Sequence, residues 1–433
     1  MKNIATRARS LFIVYSLCAL PAFSQAAQLE LQSAKEVVVA RQLELRSETL
    51  DRNVSINISL PEHYGQSSKD HQYPVVFAND MHGERFFGIT SHVYNHLGDV
   101  ERLPQSIVVS LNGGGGYPAI HHNGMWGERP AEKMQPWGNP ALYLKFFEKE
   151  LIPYLQTEYR ANGHTTLIGV SGSAFFPLWV LHEKPQLFDF YIVHAAADIL
   201  GMGLRKDSPF YESLPRRLQN YKNPKPLKIY ISTADSDIGK DSRYNSNLQA
   251  LQRNLEEIDN PDISSKIEIF DNGEHYGSYI QSLLGATDYY FPYKDWSARY
   301  RDIVKKPGNA LKNIDNHFDK LSGKTGFEIL PRADRWHSVN RLGFLVKDLA
   351  RQDRAAEAVQ VAERYISYQP GSPLAYKSLA EALIADHDFE RAKSVLEQAL
   401  SIDDNVAPQL KTQLNELLRE LTEDEQIKRK IYR

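Results

Sequence analysis

The sequence predicts an α/β protein with a mostly parallel central sheet, followed by a small all-α C-terminal domain. Three observations predict it. Short apolar runs alternate with amphipathic stretches through about residue 300, the pattern of strands buried under helices on both faces. From about Val339 the chain turns all-helical, with a 34-residue period. Within the first region an apolar strand enters Gly169-Val170-Ser171-Gly172-Ser173, and an apolar helix follows. Such a pattern makes a sharp strand-to-helix turn.

Composition narrows the function. The chain has 433 residues, 42% apolar and 24% charged, with a formal net charge of -3. That is enough apolar material for a large core without a metal or disulfide staple. The charge argues against a nucleic-acid coat or a polybasic membrane binder. The single cysteine, Cys18, excludes a disulfide framework, a cysteine-rich zinc site and an iron–sulfur cluster.

Cys18 falls inside an export signal. Lys2, Arg7 and Arg9 precede an apolar run from Leu11 to Leu20, and Ser24, Ala26 and Ala27 close it. This is the layout of a cleaved signal peptide, here residues 1–27. The run is shorter than the ~20 residues of a membrane span. Leu17 precedes Cys18, where a lipid-anchoring signal wants a small residue. Cleavage removes three positive charges, taking the formal net charge from -3 to -6, and leaves no thiol. Cysteine nucleophile chemistry is thereby excluded. The expected location is the periplasm or outside the cell.

The elements follow in order. Glu36–Ala40 and Val54–Leu60 read as strands, the second by strict alternation. Pro74–Ala78 and Ser106–Leu111 read as buried strands that end in loops, the second in the run Gly113–Gly116. Leu142–Tyr159 reads as an amphipathic helix that Pro153 kinks or starts anew. Thr166–Val170, Phe190–Ala195, Leu227–Ser232 and Lys266–Phe270 complete the strands. Residues 28–300 thus make the α/β domain. Residues 301–338, polar and helical, read as a linker, and 339–433 as the helical domain. There Leu349 and Leu383, Ala358 and Ala392, and Val361 and Val395 each lie 34 apart. The segment Pro373–Val406 resembles a tetratricopeptide repeat, with Val339–Ser372 a weaker copy and Pro408–Leu421 a closing helix. An ordinary helical hairpin bundle is the plain alternative.

The chemistry centres on Ser171. Small neighbours let the turn tighten and lift the hydroxyl clear of the sheet, and the Gly172 N–H can face a developing oxyanion. Ser173 stands where the usual pattern has glycine. Downstream, Ala234-Asp235-Ser236-Asp237 follows one strand, and Asp271-Asn272-Gly273-Glu274-His275 follows the next. Serine, acid and histidine come in the order that serine hydrolases of this architecture use. All lie past the carboxyl ends of strands, where open α/β sheets keep their sites. His275 would take the Ser171 proton and a carboxylate would orient it. The plain alternatives are a structural turn at Ser171 and a surface histidine at 275.

These residues carry a resemblance. Ser55–Pro61 with Tyr64 and Tyr73–Val76, Phe147–Tyr154 with Tyr159-Arg160, Gly169–Ser171 with Pro185 and Phe188, and Gly273-Glu274-His275 are similar to an esterase family of α/β-hydrolases. That family includes enterochelin esterases, esterase D and feruloyl esterases. The likeness spans residues 40–300. It implies an α/β-hydrolase fold, Ser171 as nucleophile and His275 as base. The family's acid follows its strand at a Gly-x-x-Asp/Glu spacing. Ala234 stands at that glycine, which places Asp237 at the acid, with Asp235 a rival. It also implies a second oxyanion N–H after the third strand. There Met81 follows Asp80, and glycine is delayed to Gly83. No cofactor and no metal are expected; the adjacent His121 and His122 lack a spaced carboxylate.

Three functions remain open on sequence. The first is an exported serine hydrolase acting on a small-molecule, sugar or siderophore ester. The second is an inactive hydrolase fold that binds or assembles partners through its repeats. The third is an acyltransferase using the same triad.

Overall fold

Among the described residues, eight strands form one sheet. The computed structural model describes residues 34, 38–79, 84–111, 139–204, 207–223, 225–239, 242–296, 299–335, 338–402 and 407–431. The predicted signal, Met81, Gly83, the run Gly113–Gly116, His121 and His122 lie outside them. From Ala40 onward the chain is one compact unit.

The strands are β1 (Arg41–Ser47), β2 (Arg52–Ser59), β3 (Tyr73–Asn79), β4 (Ile107–Leu111), β5 (Ala161–Val170), β6 (Phe190–His194), β7 (Leu227–Ala234) and β8 (Ile263–Phe270). Their order is β1-β2-β4-β3-β5-β6-β7-β8. β2 runs antiparallel to β1 and β4, and every other pairing is parallel. The first strand departs from expectation. It starts at Arg41, past Val38–Ala40 of the predicted Glu36–Ala40, whose first two residues lie outside those described, and its hairpin register with β2 pairs Arg41 with Ile58 and Ser47 with Arg52. The valines misled; the strand's own apolar residues are only Leu43 and Leu45, facing one side of an edge hairpin.

Helices cover both faces. α1 (Glu84–Asp99) leads into β4. α2 (Pro140–Phe146) and α3 (Ile152–Tyr159) are joined by a π turn at Phe147–Leu151. Pro153 explains the turn. It has no N–H to donate and its ring crowds the carbonyl four residues back, so the helix widens just before it. α4 (Phe175–Glu183), α5 (Phe210–Leu218), α6 (Asp235–Ile238), α7 (Ser242–Glu256) and α8 (Tyr279–Tyr290) complete the layers. Alternate strand residues feed two cores. Val75, Phe77, Leu167 and Ile229 pack with Phe147 and Phe176 on one side. Val76, Ile168, Ile192 and Tyr230 pack with Phe86 and Leu283 on the other.

The second core does not stop at the sheet. It continues through α9 (Tyr293–Trp296), α10 (Tyr300–Val304) and α11 (Ala310–Thr325) into the repeats. Tyr300, Ile314 and Phe318 are buried along the way, so the polar stretch has one apolar face. The repeats are α12 (Leu342–Ala350) with α13 (Ala355–Tyr368), then α14 (Pro373–Ala385) with α15 (Phe389–Ser401), closed by α16 (Pro408–Ile431). Each residue of the three 34-spaced pairs is buried. Gly343 is glycine because a Cβ there would lie 2.9 Å from the Tyr365 ring. No helix among the described residues is long and apolar enough to cross a membrane.

Polar contacts fasten the repeats, and the stretch that leads into them, to the residues that precede β3 and β4. The Ser68 N–H donates to the Tyr368 carbonyl (2.9 Å), and the Gly371 N–H to Gln66 (3.1 Å). Arg332 meets Asp99 at 3.1 Å and Arg335 meets Glu101 at 3.4 Å. The Tyr300 hydroxyl donates to Glu101 at 2.5 Å. Burial pushes the Glu101 carboxyl up to about 7, although Tyr300 and Arg335 pull it down.

This sets a pH signature. A carboxyl raised in the folded state favours folding at pH below its ordinary 4.5, and that contribution is lost as pH rises through about 7. Wild type should therefore lose stability relative to Glu101→Gln between about pH 4.5 and about pH 8, read from urea midpoints. A gap that stays constant over that window would contradict the assignment.

Candidate active site

The turn after β5 is built by steric exclusion. Ser171 sits at φ 53°, the left-handed region that a side chain rarely adopts. Such strain costs on the order of 1–3 kcal/mol and persists only when its surroundings enforce it. Gly169 is part of that enforcement. A Cβ there would lie 2.6 Å from Pro177 Cγ and 2.7 Å from the Ser173 carbonyl. A one-turn 3₁₀ segment, Ser171–Ala174, then feeds α4. Ser173 is fully buried. Its Oγ accepts from the Val170 N–H (2.9 Å) and its O–H faces the carbonyls of Asn79 (2.7 Å) and Val170 (2.8 Å). The serine in place of glycine thus ties the turn to the end of β3. Gly172 lies half-buried within the turn.

Two acids share α6, which starts as β7 ends, and they do different work. Asp235 accepts the backbone N–H groups of Asn272 (2.8 Å) and Gly273 (3.0 Å). It therefore holds the loop after β8. Asp237 Oδ1 lies 2.7 Å from His275 Nδ1, and its Oδ2 accepts the Thr233 hydroxyl at 3.1 Å. The geometry separates the two: Asp237 meets the imidazole and Asp235 does not. His275 Nε2 lies 2.7 Å from Ser171 Oγ. An ionised carboxylate only accepts, so Nδ1 carries the proton and Nε2 offers its lone pair to the serine hydroxyl.

Charge follows the geometry. Burial raises the Asp237 carboxyl, but the hydrogen bond and charge of His275, with Thr233, outweigh it and hold the group below the usual range. The hydrogen bond from Asp237 raises His275 above its ordinary 6.5, against partial burial. The imidazole is partly open to solvent and the carboxylate nearly closed off.

Ser171, Asp237 and His275, singled out from the sequence, come together; Met81 lies outside the described residues. Sequence reasoning missed Thr233, His194 at the end of β6, and Ser232, Ser278 and Ser282. His194 ends its strand as Val170 does, and that position was the available signal. Among the described residues no cluster of three or more His, Cys, Asp and Glu side chains could hold a metal ion.

Sheet order, strained serine turn and hydrogen-bonded histidine define an α/β-hydrolase. The chain belongs to the family described as "Putative esterase", whose model matches residues 47–290. A tetratricopeptide-repeat model matches residues 349–415. No curated protein matches. Among solved structures the chain is similar to an IroE-like serine hydrolase from Shewanella oneidensis. The two share 20% identity and a TM-score of 0.57, over 75% of this chain and 98% of that one. It is also similar to an uncharacterised protein from Capnocytophaga ochracea, at 15% identity and TM-score 0.50, over 88% of this chain and 99% of that one. At such identities the likeness is one of fold.

Ser173→Ala should destabilise the protein by about 1–3 kcal/mol, because it strips a partner from buried main-chain groups. Urea unfolding reads this directly. An unchanged midpoint would mean that the hydroxyl does not brace the turn.

Proposed function

We propose that the protein is an exported serine esterase that cleaves a small-molecule carboxylic ester through an acyl-enzyme. The observation that carries this reading is the unbroken chain Ser171 Oγ, His275, Asp237, with both hydrogen bonds at 2.7 Å. Ser171 Oγ attacks the ester carbonyl while His275 Nε2 takes its proton. The oxyanion meets the N–H groups of Gly172 and Met81. His275 returns the proton to the leaving alcohol as the tetrahedral intermediate collapses, leaving the acyl group on Ser171. Water then attacks, His275 takes its proton, and the acid leaves as Ser171 regains a hydrogen. Asp237 stays ionised and steadies the imidazolium.

The signal at residues 1–27 sends the mature chain to the periplasm or beyond. The repeats supply a surface for a protein partner. They hold no nucleophile paired with a base in the sequence, and chemistry stays with the α/β-hydrolase domain.

The test is hydrolysis of short p-nitrophenyl esters together with labelling by a fluorophosphonate probe. Ser171→Ala should abolish labelling and cut kcat by about 10⁴ or more. Retention of more than about a tenth of the wild-type rate would overturn the reading. Only neutral His275 accepts a proton, so kcat/KM should fall as pH drops through its raised pKa, above 6.5. Asp237→Asn should cost up to about 10⁴ in kcat, and the acidic limb should move down. Asp235→Asn should cost far less. Equal losses at the two positions would reverse the assignment of the acid.

A further inference from the structure

A second histidine stands behind the first. His194 is the last residue of β6 and is completely buried. Parallel register places it beside Val170, the residue before Ser171, and beside Ser232 of β7. Its Nδ1 lies 3.0 Å from Ser232 Oγ, and its Nε2 lies 3.3 Å from Ser278 Oγ. Ser278 Oγ donates in turn to the Glu274 carbonyl at 2.8 Å, and Ser232 Oγ lies 2.7 Å from Ser282 Oγ. Ser232, Ser278 and Ser282 are all buried.

The proton order follows from these partners. Ser278 spends its one proton on the Glu274 carbonyl, so it accepts from His194 Nε2–H. A neutral imidazole then offers Nδ1 as acceptor, and Ser232 donates to it. Ser282 donates to Ser232. One directed chain thus runs from α8 through β7 and β6 to the main chain of Glu274, which directly precedes His275. The titratable groups that face His194 are His275 and Asp237. Burial holds His194 down at about 4 despite the Asp237 charge, so it stays neutral where an esterase of this kind would work.

We infer that His194 is a positioning residue for the base: its hydrogen bonds to Ser232 and Ser278, with its contact to the His275 main chain, fix the height of the His275 loop over the strand end that carries Ser171. It touches neither the serine hydroxyl nor the imidazole ring by any hydrogen bond above, and so it acts through His275. Asp235 fixes the same loop from the other flank, by Asn272 and Gly273. The loop is held on two sides, and His275 stands between them. This inference rests on the triad reading above and extends it.

His194→Asn and, independently, Ser278→Ala test it. Each removes the link to Glu274, and Ser278→Ala does so without disturbing the strand core. A displacement of the base by about an ångström can cost up to about 100-fold. Each variant should lower kcat on a short p-nitrophenyl ester by about 10-fold or more, with KM within about twofold. The acidic limb of kcat/KM should move to lower pH, because Asp237, and after it Asp198, raise His275, and a loosened loop weakens the contact with Asp237. A role in stability alone would lower the amount of folded enzyme and leave the limb in place. Wild-type kcat and an unmoved limb in Ser278→Ala would overturn the inference. So would a lowered kcat with an unmoved limb in both variants. Those outcomes, with Ser171-dependent turnover intact in wild type, spare the triad. Loss of Ser171 dependence in wild type would instead sink the triad reading and this one with it.

Discussion

Parallel pairing from β5 to β8 brings four strand ends into line. Val170 faces His194, His194 faces Ser232, and Ala234 faces Phe270. Everything at the site is hung on that line. Ser171 follows β5, Asp237 lies one turn past β7, and His275 lies five residues past β8. Side chains on separate flexible loops could not hold two 2.7 Å contacts in series, because each would lose its own conformational freedom. The sheet supplies the order in advance, and short local devices then complete it. Those devices are the steric squeeze at Gly169, the Ser173 bridge to Asn79, and the Asp235 clamp on the histidine loop.

Hydrogen-bond geometry separates two acids that sequence could only rank. Asp235 and Asp237 lie two residues apart in the first turn of α6. One carboxylate spends its oxygens on two backbone N–H groups, and the other faces an imidazole and a threonine hydroxyl. The difference is one of direction, since residues two apart on a helix point to different sides. Their shared neighbourhood also explains why the pair belongs together. Asp235 sets the position of the loop whose histidine Asp237 then charges and orients.

How much of this was legible follows from what each feature needs. Ser171 and His275 could be read because each depends on its own neighbours: a small-residue turn after an apolar strand, and a glycine-led loop after the next acid-bearing strand. The repeats could be read because their 34-residue period is local as well. β1 was misplaced because a polar edge hairpin takes its register from β2, not from the valines that precede it. Ser173 looked like a flaw, since its partner Asn79 is 94 residues away. His194 offered only its place at a strand end, and its partners were hidden for the same reason. Its bonds join residues from β6, β7, α8 and the loop before it, which meet only once the sheet exists.

The same reasoning separates the repeats from the Ser171, His275 and Asp237 contacts. The repeats' polar fastenings, with those of the linker residues Arg332 and Arg335, fall on Gln66, Ser68, Asp99 and Glu101, all in segments that lead into β3 and β4. Those are the amino ends of parallel strands, and Ser171, Asp237 and His275 follow carboxyl ends. The joint and the triad therefore stand at opposite rims of the sheet. What crosses between them is the apolar core, which runs from Ile168 and Ile192 through Tyr300 and Phe318 to Leu349 and Leu383. A close-packed core transmits support and strain, not protons. Arg160 shows the same division on the near side. Held at φ 53° at the end of α3, it stacks 3.9 Å over the Tyr64 ring and donates to the Tyr64 carbonyl. It thereby braces the 61–72 loop against which the repeats seat. The amino rim carries the joint to the repeats, and the carboxyl rim carries Ser171, Asp237 and His275.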